Sequence, residues 1–74
     1  MNQQSYEVTG MTCQHCVNAV RTEVGAIEGV TSVDVDLVTG GASTVTVTSQ
    51  APIDEAAVAA AVDEAGYELA GRRP

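Results

Sequence analysis

The sequence contains no lysine, no tryptophan and no phenylalanine, and each absence removes a class of explanation. Without lysine, positive charge rests on Arg21, Arg72 and Arg73 alone, against ten acidic residues, for a formal net charge of -7. So acidic a chain repels a phosphate backbone instead of releasing its counterions, which excludes nucleic acid and makes anionic membrane a poor partner. Without Trp or Phe, and with only Tyr6 and Tyr67 as aromatics, the core must be assembled from Val, Ala, Ile and Leu. Hydrophobic residues still reach 45% of the chain, enough to fold rather than stay disordered. No apolar run approaches the roughly 20 residues of a membrane helix, and Met1 is followed by polar Asn2, Gln3, Gln4 and Ser5. A basic, then apolar, leader is therefore not expected, and the reading is of a cytoplasmic chain without membrane insertion. His15 is the single histidine, no Gly-rich phosphate loop occurs, and no Ser/His/Asp set can be built, so an enzyme is not expected.

What is present suffices for one domain covering residues 1–74, since a core rarely subdivides in so short a chain. Tyr6 and Val8 alternate with Ser5, Glu7 and Thr9, which predicts a strand over 3–9 ended by Gly10. Val17, Val20, Val24 and Ile27 recur at helical spacing and predict a helix over 15–26, with Gly25 and Gly29 marking its end. Val33, Val35 and Leu37 on one strand and Val45 and Val47 on the next each share one parity. Gly40-Gly41 between them predicts a tight antiparallel hairpin. Asp54 reads as the N-cap of a second helix with Ile53 stapled on Val58, and Val58, Ala61, Val62 and Ala65 form its apolar stripe. Gly66 stops that helix, and Tyr67 to Leu69 forms a short last strand before a polar tail. The order βαββαβ predicts an α+β, ferredoxin-like sandwich: a four-stranded antiparallel sheet with two helices on one face.

Chemistry concentrates in the loop 10–16, Gly-Met-Thr-Cys-Gln-His-Cys, where the first strand hands over to the first helix. Cys13 and Cys16 are too close in sequence for a mutual disulfide to restrain the unfolded chain much. In a reducing compartment they read instead as a metal or redox pair. Unpaired N–H groups and the positive helix end favour thiolate there. Two certain donors undersupply zinc, which normally takes four, whereas soft Cu(I) accepts two thiolates in a near-linear site. Such an open site can admit an incoming thiolate and pass its ion on through a three-coordinate intermediate.

The run Gly-Met-Thr-Cys-x-x-Cys after a first strand resembles the heavy-metal-associated domain family over essentially the whole chain. Val17 and Val20, Gly29-Val30, and Ala65-Gly66-Tyr67 before the last strand match it as well. The resemblance implies the same ferredoxin-like fold, with Cys13 and Cys16 as metal ligands, Met11 packed beneath the loop, and Tyr67 beside the site. It also implies a free-standing, cytoplasmic copper chaperone that delivers Cu(I) to a copper-transporting P-type ATPase or its metal-binding domain. Thr12 stands where zinc and cadmium domains of this family often carry a ligating aspartate, which favours copper. The complete lack of lysine departs from members that dock through a basic surface.

Other readings of the same residues stand beside this one. A CxxC pair at a strand-to-helix junction also suits a thiol–disulfide redox module, although no Trp precedes the motif and no proline separates the cysteines. Zn(II) carriage would need His15 or a second molecule to complete the coordination. His15 is expected to be solvated rather than a ligand, Met11 to pack rather than to ligate, and Tyr67 to serve the core or the site rim equally well. Arg21, one turn past Cys16, could offset a bis-thiolate charge or simply face solvent. Glu55, Asp63, Glu64 and Glu68 are either a docking face for a basic partner or an ordinary solvated one. The chain is expected to be a monomer when metal-free, with copper able to bridge two copies. Neither thiol is expected to be needed for the core.

Overall fold

The computed structural model describes residues 2–12, 14–38 and 40–73, for Arg72 and Arg73 the backbone only. Its elements follow the predicted order: β1 (Asn2–Thr9), α1 (Gln14–Gly25), β2 (Val30–Asp36), β3 (Ser43–Ser49), α2 (Glu55–Glu64) and β4 (Glu68–Arg73). The four strands form one antiparallel sheet in the order β2-β3-β1-β4. α1 packs on β2, α2 packs on β4, and the helices pack on each other.

Period-two alternation sorts the sheet into two chemically different faces. Tyr6 pairs with Val45, which pairs in turn with Val35, and Val33 pairs with Val47, so the apolar residues of three strands meet on one side. They form one cluster with Val20 and Val24 of α1 and Val58, Ala61 and Val62 of α2, which puts both helices on that face. The opposite face carries the rows Ser5-Thr46-Asp34 and Glu7-Thr44-Asp36. Ser5 and Thr46 lock that surface with a hydroxyl–hydroxyl hydrogen bond of 3.1 Å.

The helix ends are set by local chemistry. Asp54 caps α2, its carboxylate accepting from the Ala56 N–H at 3.0 Å. At the other end Gly66 adopts φ +94°, and the N–H groups of Gly66 and Tyr67 donate back to Asp63 and Val62. That is a Schellman closure, which requires the left-handed conformation glycine accepts without strain. It turns the chain straight into β4.

Several boundaries differ from the sequence reading, β1 beginning one residue earlier at Asn2 and β4 one residue later at Glu68. α1 begins and ends one residue earlier, at Gln14 and Gly25. The hairpin is not tight: residues 37–42 separate β2 from β3, because Leu37 leaves the ladder and the Ser43 hydroxyl accepts from the Val38 N–H at 2.9 Å, holding a wider loop. The last strand does not give way to a polar tail but runs to Arg73 along β1, with a register shift between Glu7 and Val8. Pairing with an edge supplies the hydrogen bonds that the Ala70-Gly71-Arg72-Arg73 side chains do not advertise.

Among the described residues the two buried polar side chains are serines at opposite ends of β3, each tying down a connection. The Ser49 hydroxyl donates to the Gly29 carbonyl at 2.9 Å and accepts from the Ala51 N–H at 3.2 Å. Ser49→Ala should therefore lower stability by about 1 kcal/mol, because two part-buried hydrogen bonds lose their shared partner. Exposed Gln50→Ala should change it by less than about 0.5 kcal/mol, both read by urea denaturation.

Candidate metal centre

The register places three loops at one end of the sheet. Thr9 at the end of β1 pairs with Glu68 at the start of β4, and Val8 pairs with Ser43 at the start of β3. The β1–α1 loop, the β2–β3 connection and the α2–β4 turn therefore come together, with the CxxC motif among them.

Gly10 opens the β1–α1 loop with φ +95°, and a Cβ there would stand 3.4 Å from Cδ1 of Tyr67. Glycine permits that turn, and the ring of half-buried Tyr67 lies against it. Met11 follows at 1% exposure, among the largest fully buried side chains and part of the core cluster. Thr12 returns the chain to solvent, its hydroxyl 3.9 Å from the Cys16 Sγ, within hydrogen-bond reach for sulfur. Cys13 lies outside the described residues. Gln14 and His15 begin α1, both exposed, and the Gln14 amide donates to Asn18 at 3.4 Å.

Cys16 sits in the first turn of α1 and is 8% exposed, packed within the core cluster. This corrects the expectation that neither thiol serves the core. The signal was available in the sequence, since Cys16, Val20 and Val24 fall at i, i+4 and i+8 on one helical stripe. α1 has no acidic residue in its first turn. The unpaired N–H groups and positive dipole end therefore act on a thiolate there without a competing carboxylate. Among the described residues no group of three or more His, Cys, Asp and Glu side chains is arranged to hold a metal ion.

Beside the loop the structure adds neighbours that the sequence reading did not assign to the site. Gly10, Met11 and Thr12 face Gly40, Gly41 and Ala42 across a groove of about 280 Å³. Ser43 holds that opposite wall, and Val38 stands exposed within it at 43%. Ser43 shares the inward parity of Val45 and Val47, the pattern by which it could have been found. Of the remaining candidates, Glu68 pairs with Thr9 at the edge of the loop. Glu55, Asp63, Glu64 and Glu68 are all exposed, and Arg21 faces a groove between α1 and β2.

Comparison with known proteins gives a consistent picture. The heavy-metal-associated domain family matches residues 5–68. The chain is 37% identical over 70 residues to the copper chaperone CopZ of Bacillus subtilis, covering 95% of this chain and 99% of that protein. It is 45% identical over 62 residues to the COP-associated protein of Helicobacter felis, covering 84% and 89% of the two. Among solved structures, the yeast copper transporter domain Ccc2a, studied in apo and Cu(I)-loaded states, superposes with a TM-score of 0.83 at 26% identity, covering 100% of this chain and 97% of that one.

The loop geometry makes a prediction about stability. Met11→Ala should cost about 3 kcal/mol through the cavity it leaves, and Met11→Leu less than about 1.5 kcal/mol. Cys16→Ser should cost about 1 to 2 kcal/mol, since it exchanges a buried thiol for a hydroxyl in apolar surroundings. Thermal or urea unfolding of the metal-free variants checks all three.

Proposed function

Since this chain belongs to the heavy-metal-associated domain family, we propose that it is a copper chaperone that takes Cu(I) as cargo on the thiolates of Cys13 and Cys16. The observation that carries this reading is the placement of Cys16 in the acid-free first turn of α1, behind a loop fastened by Met11. Two soft donors at a positive helix end suit a soft monovalent ion and leave zinc short of ligands. The likeness to a chaperone along nearly its full length supports the same assignment.

Delivery follows from low coordination. With two thiolates on the ion, a thiolate of an acceptor can add to make a three-coordinate intermediate, after which one of the donor's sulfurs leaves. Thr12 contributes by donating its hydroxyl to Cys16 Sγ when that sulfur carries charge. The acceptor we propose is the metal-binding domain of a copper-transporting P-type ATPase. The likeness of this chain to a copper transporter domain supports it, because donor and acceptor on one scaffold hold the ion with similar strength and exchange needs no large driving force. No helix among the described residues is long and apolar enough to cross a membrane, and we propose that the protein works in the cytoplasm. His15 is exposed, and in this reading it is not a ligand. Met11, buried in the core, is not one either.

An anaerobic titration of the reduced protein with Cu(I) against a competing chelator, repeated with Zn(II), tests the reading. One Cu(I) should bind far more tightly than Zn(II), and Cys13→Ser and Cys16→Ser should each abolish that binding. His15→Ala should weaken it by less than about thirtyfold, the equivalent of roughly 2 kcal/mol. Weak copper binding together with rapid disulfide exchange would make the pair a redox module instead.

A further inference from the structure

Away from the thiol loop, α1 presents Asn18, Arg21, Thr22 and Gly25 at helical spacing toward the start of β2. Between them and Thr31 and Ser32 runs a groove of about 440 Å³. Three independent observations bear on what it takes. First, β2 is an edge strand whose outer backbone groups face no neighbouring strand, the arrangement that accepts an added strand from another chain. Second, Arg21 is the only basic residue whose side chain the structure describes, and among the described residues none pairs with its guanidinium. No carboxylate lines the groove, in a chain with ten acidic residues. Third, Gly25 is outside the left-handed region, and a Cβ there would meet nothing within 4 Å. Neither backbone nor packing calls for glycine at this helical position, where it weakens the helix, yet the missing side chain keeps the end of the groove open.

We propose that this groove is a docking surface separate from the metal centre, which takes an extended segment of a partner protein along the free edge of β2. The segment sets one Asp or Glu carboxylate on the Arg21 guanidinium, with the Asn18 amide and the Thr22 hydroxyl beside it. Charge argues for this occupant and limits it. An unpaired guanidinium in an acid-free groove selects a carboxylate. The net charge of -7 meanwhile repels a broadly acidic surface, so the carboxylate stands alone in an otherwise neutral or basic stretch. Val30 and Val33 in the same wall suit an apolar side chain beside it. Cys16 does not line the groove, so docking here leaves the metal end open for exchange.

The test is to titrate the isotope-labelled full chain with the acetylated, amidated pentapeptide Ser-Val-Glu-Val-Ser and follow the backbone amide resonances. The expected result is saturable shifts over residues 18–25 and 30–33. Affinity should fall by about fivefold when the peptide carries Gln for Glu, and equally for Arg21→Gln, the loss of one charge-assisted pair. Gly25→Leu should abolish the shifts while the circular dichroism of the variant stays that of the parent. The absence of saturable shifts at millimolar peptide, shifts confined to other residues, or equal binding of the Gln peptide would overturn the proposal. Cys13→Ser should bind the peptide as the parent does, whatever the copper titration shows. Loss of peptide binding in that variant would overturn the independence of the two surfaces.

Discussion

The thiol loop is held by burial on both of its flanks. Met11 on one side and Cys16 on the other belong to the same hydrophobic cluster as the sheet and the two helices, while Thr12, Gln14 and His15 face solvent. A core made mainly of valine, with Tyr6 and Met11 as its largest members, therefore positions the loop without rigid covalent support. The cluster joins both helices to Tyr6, Val8, Val45 and Val47 of the sheet, so the stability of the scaffold and the geometry of the site are one problem. This differs from a site grafted on a loose surface loop. Here one proposed donor sulfur is itself a packing residue, and its exposure of 8% limits how much of it solvent or oxidant can reach.

Burial of Cys16 also shapes exchange. A sulfur fixed in the first helical turn can rotate little, so in the proposed exchange a partner thiolate would come from the exposed end of the loop, the side of Thr12 and His15. The neighbouring wall of Gly40, Gly41 and Ala42 is small and uncharged. An acceptor can therefore approach closely there without desolvating a charge. Glu7, Asp34 and Asp36 lie on the sheet face turned away from the helices, and Glu68 pairs with Thr9 at the loop end of the sheet.

Much of this was legible in the sequence, for reasons that differ by element. β3 alternates strictly and β1 alternates from Tyr6 onward because one face is buried, and Asp54 and Gly66 announce the ends of α2 by their capping chemistry. The CxxC motif marked the loop through donor type and spacing. β4 beyond Leu69 was not legible, since its residues carry no alternation and its strand character comes from pairing with β1. Nor was the width of the β2–β3 connection, which depends on Ser43 reaching back to Val38. Burial of Cys16 follows from its place on the Val20 and Val24 stripe, a packing signal that competes with the ligand chemistry of a thiol.

The central claim is that the two thiolates carry Cu(I) and hand it on directly. The measurement that tests it most directly mixes the copper-loaded chain with a metal-free CxxC domain of a copper-transporting ATPase, in the presence of a chelator that captures free Cu(I), and follows the distribution of copper over time. The account predicts rapid movement of copper to the acceptor, with none diverted to the chelator beyond its equilibrium share and a rate that rises with acceptor concentration. A rate independent of acceptor concentration, with copper passing first to the chelator, would mean release into solution and would contradict it.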